Sequence, residues 1–206
     1  IDDGSTDQTE KIVKKFERVR YFSQQHTGMP TAGRNRGLKE SRSDFIAFLD
    51  QDDWWPENKL ETQLNKMFLK EKPDIVMGKT KIINTESANN RLNLEKRYGD
   101  DHIFQLSAAL FRKSAFERVG LFDEGLRLFG TDTDWFVRAR EKGLVFYLQK
   151  TFALYWRRHA NNQLNDLPSW RETFIEIMKS SIKRRFSKDN KTMDKLPEFR
   201  ILKEKP

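Results

Sequence analysis

The chain has 206 residues, enough for one ordinary domain with a real core, and its 39 Lys and Arg against 31 Asp and Glu leave a formal net charge of +8. The absence of cysteine excludes disulfides, a thiolate nucleophile and zinc sites of the Cys type. No apolar run approaches the roughly 20 residues that cross a bilayer, and no charged-then-apolar leader pattern opens the sequence.

In chain order, Ile1 stands without an initiator Met directly before "DDGSTD", as if a strand were cut just before its end, so an N-terminal truncation is expected. "STDQTEKIVKKF" predicts a helix capped by Ser5 or Thr6 with Ile12, Val13 and Phe16 on one face, and "VRYF" a short strand. "TAGRNRGLKES" is helical in composition, and the continuous apolar run "DFIAFL" reads as a strand covered on both faces. Pro56 marks the start of a helix whose apolar face is expected at Leu60, Leu64, Met67 and Phe68, and "DIVMGKTKII" is the next strand.

Residues 84–101 are polar and poorly periodic and read as a loop or insertion. "HIFQLSAALFRKSAFERVGLFDEGL" predicts a strand, a short helix and a turn at Gly120. "TDTDWFVRAREKG" is a helix stopped by Gly143, ahead of two strands, "LVFYL" and "FALYW". The alternation defines an α/β fold with a mixed, mostly parallel sheet flanked by helices, whose ligands bind beyond the carboxyl ends of the strands.

The last segment differs. From Ser169 to Pro206 there are 11 basic and 6 acidic residues, a net of +5, which leaves +3 for the first 168. Ser169 with Glu172 forms a capping-box pattern, and Trp170, Phe174, Ile177 or Met178, Ile182 and Phe186 make an apolar stripe beside Lys179, Lys183, Arg184 and Arg185. The division expected is a domain over 1–165 and a basic amphipathic helical tail over 166–206, with residues 169–187 available for peripheral membrane contact or self-association.

The chemistry concentrates in "FLDQDDWWPENKL". Asp50, Asp52 and Asp53 at the end of an apolar strand repel one another, and a divalent cation relieves such repulsion most simply. Hard oxygen donors without Cys or clustered His suit Mg²⁺ or Mn²⁺, which in turn implies a substrate bearing phosphate. Asp2 and Asp3 sit at a second strand end and can accept hydrogen bonds from a base or ribose. The bland alternative is that both clusters start turns and cap helices.

Taken in order, "DDGSTD", "HTGMPTAGRNRG", "FLDQDDWWPENKLE", "RVGLFDE" and "GTDTDWFVRAREKG" resemble the family 2 glycosyltransferases of the GT-A fold, over roughly residues 1–160. The resemblance implies a Rossmann-like domain that binds a nucleotide-diphosphate sugar and transfers the sugar with inversion, with Mn²⁺ or Mg²⁺ as cofactor. By that likeness Asp2 and Asp3 recognise the nucleoside, Arg34 and Asn35 form the "ARN" element beside it, and Asp50, Asp52 and Asp53 form the D-x-D region that holds ribose and metal. Asp132 matches the general base of the family's "ED" motif, with Thr131 where Glu is usual and Asp134 as fallback.

Arg157, Arg158 and His159 in "YWRRHANNQ" resemble a segment that closes over the diphosphate. His26 and Met29 depart from the family pattern, as does the missing strand before Ile1. The partners implied are a nucleotide-sugar donor, with UDP-sugars the commonest, and a glycan or lipid-linked acceptor in bacterial cell-surface polysaccharide synthesis. The protein is then cytoplasmic, at the inner face of the cell membrane. Acidic strand ends argue against nucleic acid as a partner. The competing readings are an inactive binding module and a nucleotidyltransferase of similar fold.

Overall fold

A computed structural model describes residues 1–84, 102–126, 130–158, 167–186 and 192–204, with Asn84, Arg158 and residues 167–170 described by backbone alone. The elements are α1 (Thr9–Val13), α2 (Pro30–Glu40), β1 (Phe45–Ile46), α3 (Lys59–Met67), β2 (Ile75–Asn84), a 3₁₀ turn at Leu106–Ala108, β3 (Ala109–Arg112), α4 (Lys113–Val119), α5 (Thr131–Glu141), β4 (Phe146–Arg158), α6 (Leu167–Arg185) and β5 (Ile201–Lys203). The strands form one mixed sheet in the order β1-β3-β2-β4-β5, antiparallel on the β1 side and parallel from β2 to β5. The α/β sheet flanked by helices is thus as expected, with antiparallel pairing at one side.

The sheet divides the core. On one face Ile75, Met77, Phe111 and Phe146 pack against Phe116, Trp135 and Phe136 of α4 and α5. Trp135 is fully buried, 4.6 Å from the Phe116 ring, and donates its indole N–H to the carbonyl of Gly120 at 2.9 Å. On the other face Val76, Leu110 and Tyr147 pack against Met67 of α3. Phe122 belongs to the first cluster.

Several local expectations are corrected. Asp7, not Ser5 or Thr6, accepts the Thr9 N–H at the start of α1, and the helix is only one turn long with Ile12 and Phe16 exposed. "VRYF" forms no strand; only Ser23 makes an isolated parallel bridge, to Asp2. "DFIAFL" packs on both faces as expected, Ile46 and Phe48 against the first cluster and Phe45 and Ala47 against the second, but β1 itself is only two residues at the sheet edge and only Ile46 of the run is buried. "LVFYL" and "FALYW" are one strand, β4, kept continuous past Gly78 by shifts in its register with β2. Helix α6 begins at Leu167, so Ser169 lies inside its first turn rather than at the cap. The loop reading of 84–101 falls almost wholly outside the described residues.

Of the apolar face expected for helix α3, Met67 is buried and Leu60, Leu64 and Phe68 are exposed. The helix's buried positions are Lys59, Gln63 and Met67, while Leu60 is 47% and Phe68 71% exposed. The cause is a set of strand carbonyls that need donors: Lys59 Nζ donates to Ala109 O at 3.2 Å and to Gln63 Oε1 at 2.7 Å. Gln63 Nε2 donates to Val76 O at 3.2 Å and Ala108 O at 2.9 Å. The ammonium also lies 4.4 Å from the Trp55 ring.

Burial pushes Lys59 down from its usual range to about 7. Its folded-state pKa is below the unfolded one, so between about pH 7 and 10.5 the unfolded chain binds the extra proton and stability rises with pH. Urea unfolding across that window should show a gain of a few kcal/mol that is absent in Lys59→Met. A wild-type slope equal to the variant's would refute the buried, easily deprotonated lysine.

Candidate active site

The aspartate-rich turn after β1 is tied to the far end of β4. Asp53 N–H closes a turn on Asp50 O at 3.1 Å, and Trp54 and Tyr155 exchange backbone hydrogen bonds at 3.2 and 2.9 Å. Arg157 then reaches back: its backbone N–H donates to Asp53 Oδ1 at 3.0 Å, its Nε to Asp52 O, and its guanidinium lies 4.6 Å from the Trp54 ring. Trp55 donates to Ser107 O at 2.9 Å, which anchors the same turn to the 3₁₀ segment. Trp54 and Trp55 are thus packing and pairing residues of the turn.

Arg34, half-way along α2, joins this turn to the start of α5. Its NH2 donates to Asp50 Oδ1 at 2.9 Å and its NH1 to Asp132 Oδ1 at 2.8 Å. Three motifs separated in sequence, at 34, 50 and 132, therefore meet at one guanidinium. Despite the cost of desolvation, Asp132 and Asp50 hold the Arg34 pKa above its usual value. Burial raises the pKa of Asp132, against the pull of Arg34, and the charge of Asp50 adds to the rise. A carboxylate whose charged form is disfavoured by burial takes up a proton more readily than a solvated one.

Asp134 is not in this group. Two residues further along α5 it points about 200° away from Asp132. It is buried and accepts from Arg138 Nε at 2.7 Å, with Arg184 of α6 at 3.6 Å. Asn35 is also turned aside: its amide donates to Phe122 O at 3.0 Å and Glu124 Oε1 at 2.7 Å, and its Oδ1 accepts from Phe122 N–H at 3.0 Å. It staples the "GLFDE" segment to α2.

Asp2 and Asp3 stand at no strand end: Asp2 makes only an isolated bridge to Ser23, and both carboxylates are held by neighbouring donors. Asp2 accepts from Ser5 N–H at 2.8 Å and from the Tyr21 hydroxyl. That phenol bond, first among its causes, lowers Asp2, and the same bond lifts Tyr21 to about 12. Asp3 accepts from Gln24 Nε2 at 2.8 Å, from Thr27 and from Gly28 N–H at 2.9 Å. Against the cost of desolvation these donors, Gln24 foremost, bring Asp3 down to about 2. The only sequence trace of these partners is the tyrosine in "VRYF" and the polar run "SQQHTG".

The repulsion among Asp50, Asp52 and Asp53 is relieved within the protein. Asp50 takes Arg34, while burial, opposed by Arg157 N–H and reinforced by Asp52 and Asp50, raises Asp53 to about 7. Among the described residues no three Asp, Glu or His side chains are grouped to enclose a metal. The donor set fits an ion held by one or two carboxylates together with phosphate oxygens, the usual condition of Mg²⁺, and does not fit a closed protein cage. The side chain of Arg158 and all of His159 lie outside the described residues.

Acidic turns gathered at one guanidinium beside a mixed sheet flanked by helices give an α/β arrangement of the GT-A type. Residues 1–123 match glycosyl transferase family 2, and the chain belongs to that family. It is 39% identical over 88 residues to the Escherichia coli UDP-Glc:alpha-D-GlcNAc-diphosphoundecaprenol beta-1,3-glucosyltransferase WfgD, covering 42% of this chain and 34% of that protein. Among solved structures, Staphylococcus aureus TarS 1-349 in complex with UDP superposes with a TM-score of 0.64 at 18% identity, over 88% of this chain and 54% of that one. The mannosyltransferase PcManGT from Pyrobaculum calidifontis, in complex with GDP-Man and Mn²⁺, gives 0.57 at 14%, over 95% and 55%. The chain spans only part of the curated relatives it matches, 12%, 18% and 34% of the length of three of them.

Proposed function

We propose that the chain carries the donor site and catalytic base of an inverting glycosyltransferase. It moves a sugar from a nucleotide-diphosphate sugar, preferably a UDP-sugar, to a hydroxyl of a glycan or lipid-linked acceptor in cell-surface polysaccharide synthesis. The observation that carries the reading is the Arg34 fork, which sets a strand-end carboxylate and a helix-start carboxylate 2.9 and 2.8 Å from one guanidinium. The names of the relatives, one acting on UDP-Glc and a diphosphoundecaprenol acceptor and one structure holding UDP, support the same donor class.

In this reading Asp2 and Asp3 hold the nucleoside, and Asp50 orients Arg34 toward the diphosphate, where Arg157, Arg158 and His159 add positive charge. Asp132 accepts the proton of the acceptor hydroxyl as that oxygen bonds to the anomeric carbon. The bond from that carbon to the phosphate oxygen breaks on the opposite side, and its electron pair leaves with the nucleoside diphosphate. Mn²⁺ or Mg²⁺ on Asp52 and Asp53 would supply Lewis-acid stabilisation of the departing diphosphate. Residues 1–165 hold the reacting groups, residues 166–206 form the basic appendage, and the site works at the cytoplasmic side of the membrane.

Calorimetric titration with UDP, GDP, CDP and dTDP, each with and without Mn²⁺, tests the proposal. One nucleotide should bind, more tightly with the ion, and Asp52→Asn should abolish the effect of the ion. Binding of no nucleotide, with or without the ion, would reject the donor site.

A further inference from the structure

Helix α6 is amphipathic in the unexpected sense. Its packed face carries Thr173, Ile177 and Ser181, and Arg184 on the same side clasps Glu141 through Nε at 2.8 Å and NH2 at 3.1 Å. On the opposite side Ile175 (53% exposed), Ile182 (44%) and Phe186 fall within about 40° of one another at 100° per residue. Phe186 bridges to Met193, itself exposed, so the apolar strip continues onto the following segment. Lys179 and Lys183 line a shallow hollow with Ile182 and Phe186, and Arg171 lies on the other flank; Glu172 shares the angular sector of the lysines one to two turns earlier in the helix, and Glu176 lies beyond them.

We infer that this face of α6 docks on an anionic lipid surface. A solvent-facing apolar strip edged by exposed lysines, in a segment with a net charge of +5, matches an acyl boundary beneath negatively charged headgroups. A second copy of the chain suits it less. Lys179 and Lys183 run along the edge of the strip, and a two-fold helix pairing through it would bring the ammonium groups of both copies toward the seam. At a bilayer the lysine stems lie along the apolar strip and the ammonium groups reach the phosphates.

The placement has a geometric result. Thr173 and Ile177, on the inner side of α6, lie where a side chain on Gly130 would be, 2.7 and 2.9 Å from its ideal Cβ position. Gly130 is two residues from Asp132, so the lipid surface runs about one helix diameter, on the order of 10 Å, from the start of the helix that carries it. The inference stands on α6 alone and does not depend on the nucleotide chemistry.

Flotation of the protein with vesicles of phosphatidylcholine plus phosphatidylglycerol, against vesicles of phosphatidylcholine alone, provides the test. Uptake is expected only on the anionic vesicles, falling with added salt. Lys179→Ala with Lys183→Ala should lower the partition coefficient about 20- to 30-fold, roughly fivefold per lysine. Ile182→Asp should abolish uptake while circular dichroism and nucleotide titration stay as in the parent protein. Equal uptake by neutral vesicles, or none by anionic ones, overturns the inference. So does sedimentation equilibrium showing a dimer that Ile182→Asp dissociates without any vesicle binding.

Discussion

Asp132→Asn should reduce turnover about 10³-fold while nucleotide affinity changes by less than a factor of about three. The amide oxygen can still accept from Arg34 NH1, so the 2.8 Å contact and the position of the helix start are kept. What is lost is the ability to take a proton. Because burial raises the pKa of Asp132, the parent's kcat should climb with pH as the carboxyl ionises, and the variant's residual rate should lack that limb. Initial rates with the donor that titration identifies, taken across pH, decide the matter. A variant retaining more than a tenth of the parent's kcat would remove Asp132 from the role of base.

Asp134→Ala should do the reverse, costing about 3–5 kcal/mol of stability with little effect on the rate per folded molecule. Its carboxylate is buried against Arg138 and lies near Arg184, so truncation leaves two guanidinium groups around an empty, water-poor position. Urea unfolding measures the loss, and active-site titration with nucleotide corrects the rate for the folded fraction. A stable variant with a rate reduced as far as that of Asp132→Asn would exchange the roles of the two residues. The pair therefore separates chemistry from support within one helical turn.

Order of elements and motif positions could be read from residues, because the apolar runs and glycine stops are local properties. Gly120 and Gly143 do stand at positive φ where turns were expected. The orientation of surface helices could not. For α3 the decision was made by carbonyls of β2 and β3, which needed the donors of Lys59 and Gln63 more than the sheet needed Leu60 or Phe68.

At the site, the carboxylates were visible in sequence and their partners were not. Nothing near residue 34 in the chain announces that its guanidinium spans to 50 and 132, nor that Asn35, its neighbour, faces Phe122. The separation of Asp132 from Asp134 was accessible in principle, since two residues along a helix turn a side chain to the far side. The relief of the D-x-D repulsion by Arg34 and by a raised Asp53 was not accessible, because it depends on contacts made across the sheet.

The contact of Thr173 and Ile177 with Gly130 bears on where this polypeptide can be shortened. Gly130 carries a φ of 86°, and its missing side chain is the space that α6 fills. A chain ended at residue 165 would keep every proposed reacting group yet leave the underside of that turn open, and would strip the sheet of β5 beside β4. Residues that touch no substrate thus form the foundation on which the position of Asp132 rests.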